Sequence, residues 1–234
     1  KAIPALVVAR AKILYLNYPN NPTSALAPRA FLEEAVAFAA KHDLLIAADA
    51  AYSEVYFEEK PPSMLQIPGA RERTIEFHSL SKTFNMTGWR LGFAAGCEKA
   101  VKALGVLKTY LASGIFSAIQ ETGAVALDGY DRPEIRAIRD LYRTRRDAWV
   151  GGLRSLGLKV DSPKATFYVW TPVPGGGSSI DFCARALEKA NVVLTPGLGF
   201  GEGGEGYFRA ALTVDEPRIR EAIERLKKAG VFGT

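Results

Sequence analysis

The stretch from His78 to Arg90 places one lysine among hydroxyl groups and close to an arginine. Lys82 directly follows Ser81, and Ser79 lies three residues before it. The β-branched and aromatic residues at 74–78 predict a strand that ends where the hydroxyl residues begin, so Lys82 is expected on a loop. Hydroxyl groups and a guanidinium are donors of the kind that bind a phosphate dianion. A lysine beside such a group can serve as a Schiff-base amine once its pKa falls below the ordinary value of about 10.4. A loop lysine by itself is most often a solvated surface charge, so the neighbours carry this prediction.

Two other polar residues follow strand-like segments in the first half of the chain. Asp49 comes directly after the continuously apolar run 44–48, which is typical of a strand buried on both faces. A carboxylate in that place is costly unless a positive or hydrogen-bonding group meets it. Asn21 lies in a turn-rich loop after an earlier predicted strand at 11–16. Because ligands gather at the carboxyl ends of strands in open α/β sheets, we expect Asn21, Asp49 and Lys82 to converge.

Four motifs in a fixed order give the chain a family resemblance. Ser79-Leu80-Ser81-Lys82 followed by Arg90 resembles the lysine motif of the class I and II aminotransferases, which are pyridoxal-phosphate enzymes of fold type I. Asn21-Pro22-Thr23 and Asp49-Ala50-Ala51-Tyr52 match upstream, and Arg209 matches downstream. Any one of these motifs is weak alone, whereas four in order are specific.

The resemblance implies how the cofactor, pyridoxal 5'-phosphate, would be used. Lys82 would bind it covalently as a Schiff base and later act as the general base at the substrate Cα. Asp49 would pair with the pyridine nitrogen, because an opposite charge favours the protonated ring. Asn21 and Tyr52 would hydrogen-bond the ring hydroxyl. The implied catalytic residues are therefore Lys82, Asp49 and Tyr52.

The resemblance also implies two anion-binding sites, one for the cofactor phosphate and one for the substrate α-carboxylate. Ser79, Ser81 and Arg90 would hold the cofactor phosphate. Arg209, together with Asn21, would bind the substrate α-carboxylate, since a guanidinium offers the bidentate geometry that a carboxylate matches. Without the other motifs, a strand arginine such as Arg209 would most simply be a surface ion-pair partner.

Two segments narrow the resemblance within the family. Residues 75–90 and 199–207 look most like the bacterial and archaeal LL-diaminopimelate aminotransferases. Those enzymes transfer an amino group from glutamate to tetrahydrodipicolinate in lysine biosynthesis, which implies small-molecule amino-acid and 2-oxo acid substrates. Aspartate, alanine or aromatic aminotransferase activity stays open. A fold-type-I β-lyase would share the lysine, aspartate, asparagine and arginine, and a ligand-sensing domain or an inactive fragment is the non-enzymatic alternative.

Composition excludes several other classes of protein. The chain is 48% hydrophobic and 24% charged with a net charge of +5, which is ordinary for a soluble globular protein and weak for a nucleic-acid partner. No apolar run reaches the roughly 20 residues of a membrane span, and no signal peptide is visible. Cys97 and Cys183 show no metal-ligand pattern, and His42 and His78 are interpreted as structural, so no metal is expected. We expect a cytoplasmic protein, and the resemblance implies a homodimer.

Alternating strand and helix patterns predict an α/β fold. By resemblance, residues 1–130 form part of a three-layer α/β/α cofactor-binding domain, and residues 131–234 form a smaller α+β domain that begins with a long linking helix. That helix starts at Pro133, and its arginines predict a basic face in water. We expect a helix over 28–41 and flexible glycine-rich loops at 174–177 and 197–204.

The chain departs from the family pattern at two places. Ser24 stands where the family often has glycine, which we expect to be a minor change at a turn. The chain opens on Lys1, and the resemblance leaves out the N-terminal part of the family pattern. In similar enzymes that part carries a second phosphate-binding loop, an aromatic residue stacked on the cofactor ring and residues contributed across the dimer.

Overall fold

A computed structural model describes residues 3–112 and 114–232 of the chain. The chain divides into two compact units. The first unit contains Lys1–Pro19 and Leu26–Ile138, and the second contains Asn20–Ala25 and Arg139–Thr234. The boundary therefore falls inside the predicted long helix, and a six-residue loop segment after the first strand belongs to the second unit. The division into a cofactor-binding domain and a small domain stays a prediction.

The first unit is built on a four-stranded sheet in the order β1-β2-β3-β4. Its strands are β1 (Ile13–Asn17), β2 (Leu45–Asp49), β3 (Thr74–Ser79) and β4 (Gly92–Gly96). β1, β2 and β3 pair in parallel, and β4 pairs antiparallel to β3. Because parallel strands end at the same edge of a sheet, the polar residues that follow β2 and β3 share that edge.

Helices of the first unit follow the strands in the expected alternation. They are α1 (Ala5–Arg10), α2 (Arg29–Lys41), α3 (Leu80–Thr83), α4 (Glu98–Leu111), α5 (Ser117–Asp128) and the beginning of α6 (Pro133–Ser155). α2 confirms the predicted helix and begins after Pro28, whose fixed φ suits a helix start. Its apolar stripe, which includes Leu32 and Val36, packs in one core with Ile46 and Ala48 of β2. Burial of side chains of this kind stabilises by about 1.5–3 kcal/mol each.

The prediction that β2 is buried on both faces is wrong for this chain. Ile46 and Ala48 are buried, whereas Leu45 and Ala47 on the other face are only partly buried. The continuous apolar run is that of a strand covered on both sides, but α2 covers only one face of the described sheet.

The second unit contains a three-stranded antiparallel sheet in the order β5-β7-β6. Its strands are β5 (Tyr168–Pro172), β6 (Thr195–Pro196) and β7 (Tyr207–Ala211), and its helices are the rest of α6, α7 (Ser179–Ala190) and α8 (Glu216–Lys228). The core is closed, since Phe182 of α7 stacks on Phe208 of β7 at 4.7 Å between ring centroids and both are fully buried. The expected fold class, α/β followed by a smaller α+β part, is confirmed.

The basic face of α6 differs most from its prediction at Arg146. Arg146 is only 8% exposed. Its Nη1 donates to the Pro163 carbonyl at 3.0 Å, and its Nε donates to Asp147 at 2.8 Å. A buried guanidinium is tolerated because these acceptors replace water. The arginine pattern gave the helix correctly, but it could not show which arginine turns inward.

Two further expectations concern membranes and thiols. None of the helices in residues 3–112 and 114–232 combines the length and apolarity of a membrane span. Cys97 and Cys183 are both free thiols, and burial raises the pKa of Cys183 to about 11. Cys183 is therefore a packing residue with little thiolate at neutral pH.

Candidate functional site

Asp49 ends β2 with its carboxylate in a small hydrogen-bond network of the first unit. Tyr15 donates from its hydroxyl to Oδ2 at 2.7 Å, and the Ala51 amide donates to Oδ1 at 3.2 Å. Asn17 donates from its side chain to the Asp49 carbonyl at 3.1 Å. The hydrogen bond to Asp49, followed by burial and by the carboxylate charge, raises the pKa of Tyr15 to about 12. The carboxylate is thus held by neighbours on β1 and by the turn that follows β2.

Lys82 lies in α3, a single helical turn, and not in the loop that the sequence predicted. The turn begins directly where β3 ends, so the lysine stays at the sheet edge where Asp49 also lies. Its ammonium is 5.8 Å from the centroid of the Tyr52 ring, and Tyr52 is itself buried. The structure therefore places the Lys82 ammonium near the face of the Tyr52 ring in the first unit. The roles that the resemblance implies for these two residues stay predictions.

The predicted phosphate ligands lie on two short segments after β3. Ser79 ends the strand, and Ser81 is buried in α3. Thr87 connects the two segments, since its hydroxyl donates to the Ser81 carbonyl at 3.2 Å and its own carbonyl accepts from Arg90 Nη1 at 3.0 Å. Arg90 has a left-handed φ of 54° and an exposed side chain. The guanidinium is therefore accessible to an anion, and Thr87 fixes the segment that carries it.

Asn21 and Arg209 meet in the second unit although they are far apart in sequence. Arg209 Nη1 donates to Asn21 Oδ1 at 2.7 Å, and Nη2 donates weakly to Thr195 Oγ1 at 3.4 Å. Arg209 occupies the middle of β7, which confirms the predicted strand. Of the three residues expected to converge, Asp49 and Lys82 belong to the first unit and Asn21 to the second. Their convergence stays a prediction.

Ser24 is more than a minor change at a turn. It has a φ of 60° and is only 6% exposed. Its hydroxyl lies 2.6 Å from Thr166 Oγ1 and donates to the Tyr168 carbonyl at 2.9 Å. Thr166 is also left-handed, with a φ of 65°, which is unusual for a β-branched residue. The two strained residues are therefore joined by buried hydrogen bonds, and the serine does something that glycine could not.

The glycine-rich segment 197–204 has a defined structure, which differs from the flexible loop that we expected. It forms two 3₁₀ turns, Gly197–Phe200 and Glu202–Gly204. A Cβ at Gly197 would lie 1.9 Å from the Gly204 carbonyl oxygen, and a Cβ at Gly204 would lie 2.2 Å from the Gly197 oxygen. The glycines are thus needed for close backbone contact and not for mobility.

Glu205 ties the end of this segment to the start of α7. Its carboxylate accepts from the Ser179 amide and from the Ser179 hydroxyl, both at 2.8 Å. These hydrogen bonds lower the pKa of Glu205. The same Ser179 hydroxyl accepts from the Leu198 amide at 3.2 Å. One serine therefore connects both ends of the glycine-rich segment to a helix.

His78 has the structural role that the sequence predicted. Its Nε2 lies 2.8 Å from Oε1 of Glu76, and its ring stacks on Phe93 of β4 at 4.8 Å. Burial acts to raise the pKa of Glu76, but hydrogen bonds from His78, Ser63 and the Met64 amide outweigh it and lower the pKa. The buried carboxylate is thus satisfied by neighbours within the first unit.

Sequence reasoning missed several residues around the predicted site. They are Tyr15, Asn17, Thr87, Tyr168, Thr195 and Phe200. Tyr15 could have been found, because parallel pairing of β1 with β2 puts Tyr15 opposite Ala47 and on the same face as Asp49. The others depend on turns or on strand register, for which the sequence has no local signal.

The donor set of the first unit fits pyridoxal phosphate in kind. A pyridinium nitrogen needs a carboxylate, which Asp49 supplies with two donors already on its oxygens. The cofactor aldehyde needs an amine, and Lys82 lies next to a buried phenol. A phosphate dianion needs hydroxyl and cationic donors, which Ser79, Ser81 and Arg90 offer. Among the described residues no cluster of histidine, cysteine and carboxylate side chains suits a metal ion.

Residues 2–226 match the family model described as aminotransferase class I and II. The chain therefore belongs to the class I and II aminotransferase family. It is 52% identical over 230 residues to LL-diaminopimelate aminotransferase 2 of Trichormus variabilis, covering 98% of this chain and 59% of the relative. It is 50% identical over 233 residues to the LL-diaminopimelate aminotransferase of Gloeobacter violaceus, covering 99% of this chain and 59% of the relative. The chain thus spans about three-fifths of the length of these relatives.

Solved structures agree with this assignment. The apo form of BacF from Bacillus subtilis matches with a TM-score of 0.92 and 38% identity, covering 97% of this chain and 60% of that one. An aromatic aminotransferase from Pyrococcus horikoshii matches with a TM-score of 0.87 and 33% identity, covering 94% and 60%. The fold type expected from the motifs is therefore confirmed.

Proposed function

We propose that the whole protein containing this chain is a pyridoxal-phosphate-dependent aminotransferase that transfers an amino group from glutamate to tetrahydrodipicolinate. The observation that carries this proposal is the 2.7 Å hydrogen bond from Arg209 to Asn21. This hydrogen bond fixes the guanidinium of Arg209, which can then bind a substrate carboxylate. The first unit of the same chain presents Lys82 and Asp49 for the cofactor.

The first unit would supply the groups that hold and use the cofactor. When bound, pyridoxal phosphate supplies an electron sink that makes the substrate Cα–H acidic. Asp49 would face the pyridine nitrogen and favour its protonated form, since a carboxylate stabilises a nearby cation. Lys82 Nζ would first anchor the cofactor and, once displaced by the substrate amine, take the proton from the substrate Cα.

The remaining polar residues would orient the reacting groups. Tyr52 and Asn21 would hydrogen-bond the cofactor hydroxyl, and the phosphate would be held by Ser79, Ser81 and Arg90. Arg209 would bind the α-carboxylate of each substrate, which fixes the Cα–H against the base. Substrate positioning and proton transfer are thus assigned to different units of the chain.

The substrate assignment is supported by relatives about 50% identical that are named LL-diaminopimelate aminotransferase. Lysine biosynthesis is the corresponding role. The homodimer and the cytoplasmic location implied by the resemblance belong to the same proposal. The short span of the chain relative to these proteins means that the activity is proposed for the whole protein.

The test combines covalent labelling with product analysis. The whole protein is incubated with pyridoxal phosphate, reduced with borohydride and mapped by peptide mass spectrometry, and we expect the label on Lys82. Glutamate with the tetrahydrodipicolinate-forming system should then yield 2-oxoglutarate and LL-diaminopimelate. Release of ammonia and pyruvate from a single amino acid would identify a β-lyase instead. Labelling elsewhere, or none, would refute the cofactor assignment.

A further inference from the structure

Two aromatic rings pack against the guanidinium of Arg209 in the second unit. The Cζ atom lies 4.1 Å from the centroid of the Tyr168 ring and 4.7 Å from that of Phe200. Trp170 packs against the Phe200 ring in a T-shaped arrangement with the ring centroids 5.8 Å apart. Tyr168 and Phe200 together form an aromatic clamp around Arg209. Since a cation is attracted to the face of a ring, the clamp restricts the plane that the guanidinium can adopt.

The three nitrogen atoms of the Arg209 guanidinium differ in their hydrogen bonds. Nη1 has a short hydrogen bond to Asn21, and Nη2 has a long one to Thr195. Nε is buried and has no hydrogen-bond partner among the residues that the structure describes. A ligand cannot reach Nε, so a carboxylate that binds with two hydrogen bonds must use the two Nη groups. The guanidinium therefore presents its end, and not its side, to a ligand.

Both rings of the clamp are held by fixed backbone. Phe200 ends the first 3₁₀ turn of the glycine-rich segment, which the contact of Gly197 with Gly204 locks. The Tyr168 amide donates to Thr166 Oγ1 at 3.1 Å, and its carbonyl accepts from Ser24. Each ring is thus positioned before any ligand arrives.

The geometry points to Tyr168 and Phe200 as positioning residues that orient Arg209 for end-on binding of a planar carboxylate. This inference rests on the proposed function for the identity of the ligand as an amino-acid carboxylate. It adds that the clamp, which neither touches the reacting atoms nor carries charge, contributes to substrate affinity.

The experiment uses the whole protein with its cofactor and compares ring removal with ring conservation. Phe200→Leu removes a ring that is 38% exposed, so the fold should survive. We expect KM for glutamate to rise by about 2- to 30-fold with kcat nearly unchanged, the range that corresponds to a cation–π contact. Phe200→Tyr keeps the ring and should have the KM of the natural protein. At the other ring, Tyr168→Leu should likewise raise the KM, and Tyr168→Phe should leave it unchanged. Borohydride labelling of Lys82 should be equal in all of them.

A matched control replaces a ring that stacks on a neighbour and not on Arg209. Tyr207 stacks on Trp170 at 5.4 Å, so Tyr207→Leu should raise the KM less than Phe200→Leu. An unchanged KM in both clamp variants with Lys82 still labelled would overturn the positioning role alone. Absence of label on Lys82 in the natural protein would overturn the proposed function itself.

Discussion

The two units differ in how many contacts they make around their proposed site residues. In the second unit, Arg209 has two hydrogen-bond acceptors, two rings and a locked loop around it. In the first unit, Lys82 has a ring at 5.8 Å, and Asp49 is held partly by Tyr15, which is 61% exposed. The proposed carboxylate ligand, Arg209, is therefore held by many contacts within its unit, whereas the proposed reactive residues, Lys82 and Asp49, have few contacts at the edge of the first sheet.

The first unit also buries its helices less completely than the second unit does. α4 has no buried residue, and in α5 only Gly123 is buried. Ile13 and Phe93 of the sheet are exposed as well. The second unit buries Phe182, Phe208 and other large side chains completely. Because apolar burial is the main source of stability, the first unit should be the weaker of the two in this chain.

The largest effect should come from the amine of the first unit. Lys82→Ala removes the only covalent anchor proposed for the cofactor and the base that takes the Cα proton, so turnover should fall by at least about 10²–10⁴-fold. Borohydride labelling should vanish while far-UV circular dichroism stays unchanged. Lys102→Ala, at an exposed lysine paired with Glu98, is the matched control and should behave like the natural protein. Labelling that persists in Lys82→Ala would break the assignment of chemistry to this unit.

The next effect should come from the receptor of the second unit and should leave the first untouched. Arg209→Lys keeps the charge but loses the two-pronged geometry, which should raise KM for glutamate by about 10- to 150-fold, as for a lost hydrogen bond to a charged group. The cofactor should still label Lys82. Arg218→Lys tests the same substitution at an exposed arginine paired with Glu221 and should change nothing. If Arg209→Lys abolished labelling, the two units would not have separate roles.

The order of elements could be predicted because each has a local pattern. The helix after Pro28, the strand β3 and the long helix from Pro133 are confirmed within a few residues. Their signals are a tolerated proline, an alternation of β-branched and aromatic residues and helical spacing of apolar ones. Lys82 and Arg209 were proposed as site residues from the family motif, because periodicity alone would have left both as surface charges.

What could not be predicted depends on contacts between distant segments. The helical turn at Lys82 is four residues long, too short for any periodicity to show. Antiparallel pairing places Trp170 opposite Arg209, and only that register brings Tyr168 and Phe200 near the guanidinium. The glycine pair 197 and 204 looks like a flexible loop in sequence, because close backbone contact leaves no trace beyond the glycines themselves.

A smaller effect concerns Ser24, whose left-handed backbone and buried hydrogen bonds help to position Tyr168 beside Arg209. Ser24→Ala keeps a side chain at a φ of 60° but removes its buried hydrogen bonds to Thr166 and Tyr168, which should cost about 1–3 kcal/mol of unfolding free energy. Ser24→Gly loses the same bonds but relieves a left-handed penalty of about 1–2 kcal/mol, so its loss should be smaller. Urea unfolding followed by tryptophan fluorescence measures both. A glycine variant less stable than the alanine variant would show that no strain is relieved there.

The smallest effect tests how firmly the first unit holds Asp49. The hydrogen bond to Asp49 favours the neutral phenol of Tyr15 and raises its pKa from the ordinary value of 10.0 to about 12. A raised folded-state pKa stabilises the fold fully below pH 10, and this contribution disappears as the pH rises from 10 through 12. Between pH 10 and 12, the urea unfolding midpoint should therefore fall less in Tyr15→Phe than in the natural protein. In a tyrosinate difference spectrum, the Tyr15 signal should titrate near pH 12 and return toward 10 in Asp49→Asn. A midpoint near 10 in the natural protein would mean that the phenol does not hold the carboxylate, and the contrast with the tightly held Arg209 would then be greater still.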